Sequence, residues 1–146
     1  MKRLWPYGLA LAIALSPLTV IHPVKVEGHS MEPGLRDGQL VFALWPWCAG
    51  APSRGQVWIV EGPEGSAIKR VIGLPGETVA ERGGDLWIGG TRLREPYVAQ
   101  VDATDGGPWA CSDGYLVMGD NRPRSEDGRA WGPLSRSALR GRVLGD

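Results

Sequence analysis

Glycine and proline punctuate this chain throughout, at 22 and 12 of its 146 residues. That density is too high for a helical bundle or a coiled coil, because each breaker ends or weakens a helix. A disordered chain is excluded as well, since 42% of the residues are hydrophobic and 22% charged, enough apolar surface for one buried core. The 16 basic and 16 acidic residues balance, so no nucleic-acid partner is expected.

Short apolar runs alternate with turn signals, as strands do. The runs are Val24–Glu27, Leu40–Leu44, Val57–Val60, Ala67–Ile72, Leu86–Ile88 and Tyr115–Met118. Asp37-Gly38 and Pro75-Gly76 mark turns, and Gly83-Gly84-Asp85 and Gly89-Gly90 flank Leu86-Trp87-Ile88 as in a hairpin. Asp102 to Gly114 reads as a surface loop, and Leu134 to Arg140 as a short helix begun by Ser135. The expected fold is mainly β, an antiparallel sheet domain over residues 24–146.

The first 23 residues differ in kind. Met1-Lys2-Arg3 precedes Leu4 to Ile21, 18 residues without a charge. As a helix this run spans about 27 Å, close to the hydrocarbon thickness of a bilayer. It predicts a single transmembrane helix within an anchor over residues 1–23, with the lipid bilayer as partner. The basic end stays in the cytoplasm and residues 24–146 lie on the extracytoplasmic side of the cytoplasmic membrane. The alternative is a cleaved signal peptide, with Ala10, Ala12 and Ala14 as small residues for processing and Pro17 ending the helix. In such a compartment Cys48 and Cys111 either form a disulfide or stay as two separate thiols. Their spacing lacks any metal-binding pattern, and neither a metal nor a cofactor is expected.

Chemistry concentrates in three segments. In Glu27-Gly28-His29-Ser30-Met31-Glu32-Pro33 a serine stands where a strand breaks. Residues 24, 26, 28 and 30 share one face of an extended chain, so His29 faces away from Ser30. His22, the only other histidine, lies at the membrane end, and a Ser-His-Asp triad lacks its histidine. The second segment is Ala67-Ile68-Lys69-Arg70-Val71-Ile72, one of only three lysines inside an apolar run. Burial disfavours an ammonium, so a desolvated Lys69 can accept a proton from a serine hydroxyl near neutral pH, which an arginine cannot do. Taken singly, Lys69 is better explained as an ordinary strand charge and Ser30 as a turn serine. The third segment is the polar loop Gly119 to Gly132, which alone reads as a solvated turn.

In this order the three segments resemble bacterial type I signal peptidase. Ser30-Met31-x-Pro33 resembles the nucleophile motif and Lys69-Arg70-Val71-Ile72-Gly73-Leu74-Pro75-Gly76 the general-base motif. Gly119-Asp120-Asn121 through Ser125, Asp127, Arg129 and Trp131-Gly132 resembles the third. The resemblance implies a membrane-anchored serine endopeptidase that removes signal peptides from exported preproteins after Ala-x-Ala sequences. Ser30 would be the nucleophile, Lys69 the base and Ser125 the residue that orients the base. The Ser30 N–H would serve the oxyanion, and Gly28 stands where many relatives carry a second, hydroxyl donor. Arg70, Asp127 and Arg129 would form a supporting ion-pair network, and Val24, Val26, Met31, Leu35 and Ile68 would line shallow pockets for small side chains.

Plain core packing is the competing account of those five apolar residues. Trp45-Pro46-Trp47 is either an interfacial foot or a packed corner. Competing functions are a self-cleaving protease of the SOS-repressor type, a pilus-processing peptidase of conjugation systems, whose serine motif reads Ser-Met-Pro, and a non-catalytic membrane-tethered β module. Intact Ser30 and Lys69 argue against the last.

Overall fold

The computed structural model describes residues 20–145. These form two antiparallel sheets from ten strands: β1 (Ile21–Lys25), β2 (Leu40–Leu44), β3 (Val57–Gly62), β4 (Gly65–Gly73), β5 (Thr78–Arg82), β6 (Asp85–Ile88), β7 (Thr91–Arg92), β8 (Gly106–Ala110), β9 (Leu116–Met118) and β10 (Leu139–Val143). The first sheet runs β1-β2-β10-β3-β4-β9 and the second β7-β6-β5-β8. One helical turn, α1 (Gly128–Trp131), follows β9.

The longest strand, β4, carries the geometry of the site. Its Gly65 to Arg70 half pairs with β3 on one side, Lys69 opposite Trp58. On the other side β9 pairs only from Arg70 onward, so the edge from Gly65 to Lys69 is open. Residues 69–73 are buried, because β4 passes between hydrophobic clusters. Val26, Met31, Leu35, Val41, Val57 and Val143 pack as one cluster, with Val24, Ile59 and Ile68 at its margin. Ile72, Leu116 and Met118 of the first sheet meet Val79 and Leu86 of the second in another, which also holds Cys111. Burying side chains of this kind contributes about 1.5–3 kcal/mol each, which fixes the strands that present Lys69.

Several expectations change. The first strand starts at Ile21, so Ile21 to Pro23 pair with β2 and belong to the β domain, not to the anchor. Residues 1–19 of the expected anchor lie outside the described residues, among which no helix is long and apolar enough to cross a membrane. The expected helix over 134–140 is a single 3-10 turn at Arg136–Ala138. It is followed by β10, whose Leu139, Gly141 and Val143 point inward between β2 and β3. The loop expected over 102–114 contains β8, paired with β5. Cys48 and Cys111 are both free thiols. Cys48 is exposed in the turn after β2 while Cys111 is buried beside Gly73, so the disulfide is not formed.

Candidate active site

Ser30 opens a tight turn that β1 feeds. The chain leaving β1 is strapped to the Arg36–Gln39 turn, with Val26 N donating to Gln39 O at 2.8 Å and Gly38 N to Val26 O at 2.9 Å. Gly28 takes φ +81°, a left-handed conformation open to glycine, and donates its N–H to Asp37 Oδ1 at 2.8 Å. Past it, the Ser30 carbonyl accepts from Asn121 N at 2.9 Å and the His29 carbonyl from Asn121 Nδ2 at 3.1 Å. The serine turn is thereby clamped to the loop after β9. His29 Nδ1 lies 2.9 Å from Glu32 Oε1 on the surface, in keeping with its expected direction away from Ser30.

Lys69 is 3% exposed. Its Nζ donates to Ser125 Oγ at 3.2 Å, and Ser125 Oγ donates in turn to Asp127 Oδ2 at 2.6 Å. Asp127 fixes that direction: a carboxylate only accepts, so the single hydroxyl proton of Ser125 is committed to it and Ser125 must accept from lysine. Burial lowers the pKa of Lys69, Asp127 raises it, Arg129 lowers it and Glu126 raises it, with a net downward shift. The Trp131 ring, 6.0 Å from Nζ, helps to cover the amine.

Ser30 belongs to the same cluster, as Gly119 demonstrates. A Cβ on Gly119 would lie 2.2 Å from Ser125 Oγ and 2.5 Å from the Ser30 carbonyl oxygen. Both serines therefore close over the bare glycine backbone, and the loop can bring them together only where no side chain stands.

The supporting network differs from the expected one. Asp127 is held by Arg129 Nε at 3.0 Å, Arg129 N at 3.1 Å and Gly119 N at 2.9 Å. Burial pushes its pKa up, but the Arg129, Ser125 and Gly119 hydrogen bonds outweigh this and hold it below the usual carboxylate range. Arg70 pairs with Asp120 instead, through Nε–Oδ1 at 2.8 Å and Nη2–Oδ2 at 2.7 Å, and its guanidinium stacks on Tyr97 at 4.2 Å. A third pair, Arg122 with Glu95, is buried beside it, and Arg122 Nε donates to Gly119 O at 3.0 Å. Asp120, Glu95, Arg122, Asn121 and Gly119 are thus part of the machinery. The first and the last three lie in the quoted third motif, but linear sequence does not say which arginine meets which acid.

The expected pocket also changes. All five apolar residues gather in one cluster, yet Val26 and Met31 are 2% exposed and Leu35 8%. These three are core, and of the five only Val24 and Ile68 remain partly exposed. Gly28 cannot lend its N–H to an oxyanion while Asp37 holds it. The Ser30 N–H, by contrast, has no hydrogen-bonded acceptor among the described residues.

A half-buried serine turn beside a buried lysine of lowered pKa on a β scaffold fits a hydrolase of the serine peptidase class. The chain belongs to the signal peptidase family, peptidase S26, whose family model matches residues 3–144. It is 37% identical over 142 residues to signal peptidase I of Bacillus licheniformis, covering 86% of this chain and 76% of that one. With signal peptidase I of Leptolyngbya laminosa it shares 32% identity over 157 residues, covering 99% of this chain and 77% of the relative. The crystal structure of a signal peptidase I from Enterococcus faecalis V583 superposes with a TM-score of 0.56 at 32% identity, covering 66% of this chain and 99% of that one.

Proposed function

We propose that this peptidase removes N-terminal signal peptides from exported preproteins, with Ser30 as nucleophile and Lys69 as general base. The observation that carries the reading is the hydrogen-bond chain Lys69–Ser125–Asp127 packed against the Ser30 turn. Ser125 accepts one amine hydrogen, which leaves the lone pair of neutral Lys69 free for the Ser30 hydroxyl proton. Ser30 Oγ attacks the scissile carbonyl carbon as that proton passes to Nζ, and the Ser30 N–H receives the oxyanion. Collapse breaks the C–N bond, and Lys69 returns the proton to the departing amine of the mature chain. Lys69 then deprotonates a water that hydrolyses the ester on Ser30 and frees the signal peptide.

Substrate binding follows from the sheet edges. Among the described residues the outer edge of β1 and the Gly65–Lys69 edge of β4 have no paired strand, and their Val24 and Ile68 border one cluster. An extended peptide adds to such edges by backbone hydrogen bonds. Val26, Met31 and Leu35 are packed into the core beneath this edge, and a preference for the small side chains of Ala-x-Ala is part of the reading.

In this reading the chain before Ile21 holds the enzyme on the extracytoplasmic face of the cytoplasmic membrane, and the β domain starts at Ile21. Leu40 is 61% exposed, Phe42 52% and Trp47 71%, an apolar surface on β2 and its following turn, next to β1. Trp47 stacks on Trp45 at 5.2 Å and Trp45 on His22 at 3.9 Å. An aromatic stack beside an apolar strand face suits the bilayer interface.

The test is incubation of full-length protein in detergent with a secretory precursor carrying an Ala-x-Ala site. A cut directly after the second alanine, absent with Ser30→Ala, supports the reading. A cut elsewhere, or one that survives Ser30→Ala, overturns it.

A further inference from the structure

Behind the Ser125–Asp127 pair lies a cavity of about 670 Å³ whose lining includes Arg122, Ser125, Asp127 and Arg129 on one wall and Glu81 and Trp109 on the other. The second wall comes from the second sheet. Glu81 stands on β5 opposite Gly106 of β8, and Trp109 Nε1 donates to the Arg129 carbonyl at 3.3 Å. The second sheet thus touches the catalytic loop at the residue that grips Asp127.

Glu81 is an unusual occupant of that wall. It is 5% exposed, in an inward position of its strand, and closes no hydrogen bond or ion pair among the described residues. Its carboxylate faces the open cleft that Arg129 also lines, with no donor or acceptor of the described residues closing on it. We propose that Glu81 is a positioning residue for the reaction: across the cleft its negative charge offsets that of the Arg129 guanidinium, so that less positive potential reaches Lys69. This rests on the Ser30–Lys69 reading above.

The surrounding charges agree. Burial raises the pKa of Glu81, Arg129 and then Arg122 lower it, and Asp127 and Glu95 raise it. Arg129 is influenced by Asp127, Glu81 and Asp102, while Lys69 responds to Asp127, Arg129 and Glu126. Asp105 lines the same cavity. Arg129 is therefore the group common to both acids and the base. Removing the Glu81 charge takes away a negative contribution that offsets Arg129, so the summed potential at Lys69 becomes more positive and disfavours its ammonium more strongly. The titration of Lys69 must move to lower pH.

The chain holds three lysines, so Lys69 can be followed directly by NMR in protein carrying ¹³Cε-lysine, assigned by Lys69→Arg. In Glu81→Gln the Lys69 titration and the acid limb of kcat/KM should both move down by roughly 0.3–1 pH unit. Glu81→Asp, which keeps the charge but withdraws it by one methylene, should move them the same way by less. A purely structural role would lower the rate or the melting temperature with the titration unmoved, and that result in either variant overturns the proposal. Should Glu81→Gln fail to fold, Glu81→Asp alone decides. Failure of the Ser30–Lys69 reading shows separately, as wild-type activity that does not follow the Lys69 titration.

Discussion

Lys69 Nζ and Ser125 Oγ stand 3.2 Å apart, with the lysine donating and the serine's own proton given to Asp127 at 2.6 Å. The amine lone pair therefore points away from Ser125, and in the proposed reaction it takes the Ser30 hydroxyl proton. Ser125→Ala removes the acceptor that aims it and leaves Asp127 with its Arg129 and Gly119 partners. The kcat/KM of this variant should fall by about 10²–10³-fold with the fold intact, a smaller loss than for Ser30→Ala. Parallel rate assays and melting curves check it.

Holding a lysine amine in this site costs stability. Lys69 has a folded-state pKa below its unfolded value, so between the two pH values the unfolded chain binds more protons and stability rises with pH. The window opens at the lowered folded-state value and closes near the unfolded value of about 10.4. Lys69→Met should be inactive, more stable than wild type at neutral pH by about 1–2 kcal/mol, and without the rise. Urea denaturation across that pH range measures both.

Asp127 acts with the opposite sign of charge. Its folded-state pKa lies below the usual carboxylate range, so its contribution to stability is present above about pH 3.9 and is lost as pH falls through the folded-state value. Asp127→Asn should flatten the acid side of the stability profile. It should also lower activity, because an amide no longer fixes the direction of the Ser125 hydroxyl.

Much of this was legible in the residues, and the rest failed for identifiable reasons. Ser30, Lys69 and Ser125 were picked out by the ordered motifs that resemble signal peptidase and not by any one segment, and the six expected runs all contain strand residues. Thr78–Arg82 was hidden because Glu81 occupies an inward position and breaks the apolar alternation. Gly106–Ala110 was hidden by Gly-Gly-Pro, a turn composition, and β10 by the apparent cap Ser135. The pairing of Arg70 with Asp120 joins residues 50 apart in sequence, and no periodicity reports such a contact.

That pair carries its own expectation. Asp120 is 1% exposed, and Asp120→Asn leaves the Arg70 guanidinium buried without its bidentate acid. Loss of one partner of a buried ion pair costs about 3–5 kcal/mol. The variant should melt well below wild type, and Arg70→Lys with Asp120 intact should also lose stability, since an ammonium cannot make the forked contact.

Gly119→Ala tests the convergence of the two serines. The added methyl meets Ser125 Oγ and the Ser30 carbonyl inside contact distance, so the turn and the loop must part. Activity should fall by about 10²-fold or more, with the Lys69 titration moving toward the ordinary lysine value as water enters. Rate assays and the lysine NMR signal follow the two effects.

The central claim, that Lys69 activates Ser30, is tested most directly by the rate at which a serine-acylating inhibitor labels the protein, with the modified residue located by peptide mass spectrometry. The account predicts label on Ser30 in the wild type and labelling slower by about 10³-fold or more in folded Lys69→Ala. Label on another residue, or equal labelling of Ser30 without Lys69, would contradict it.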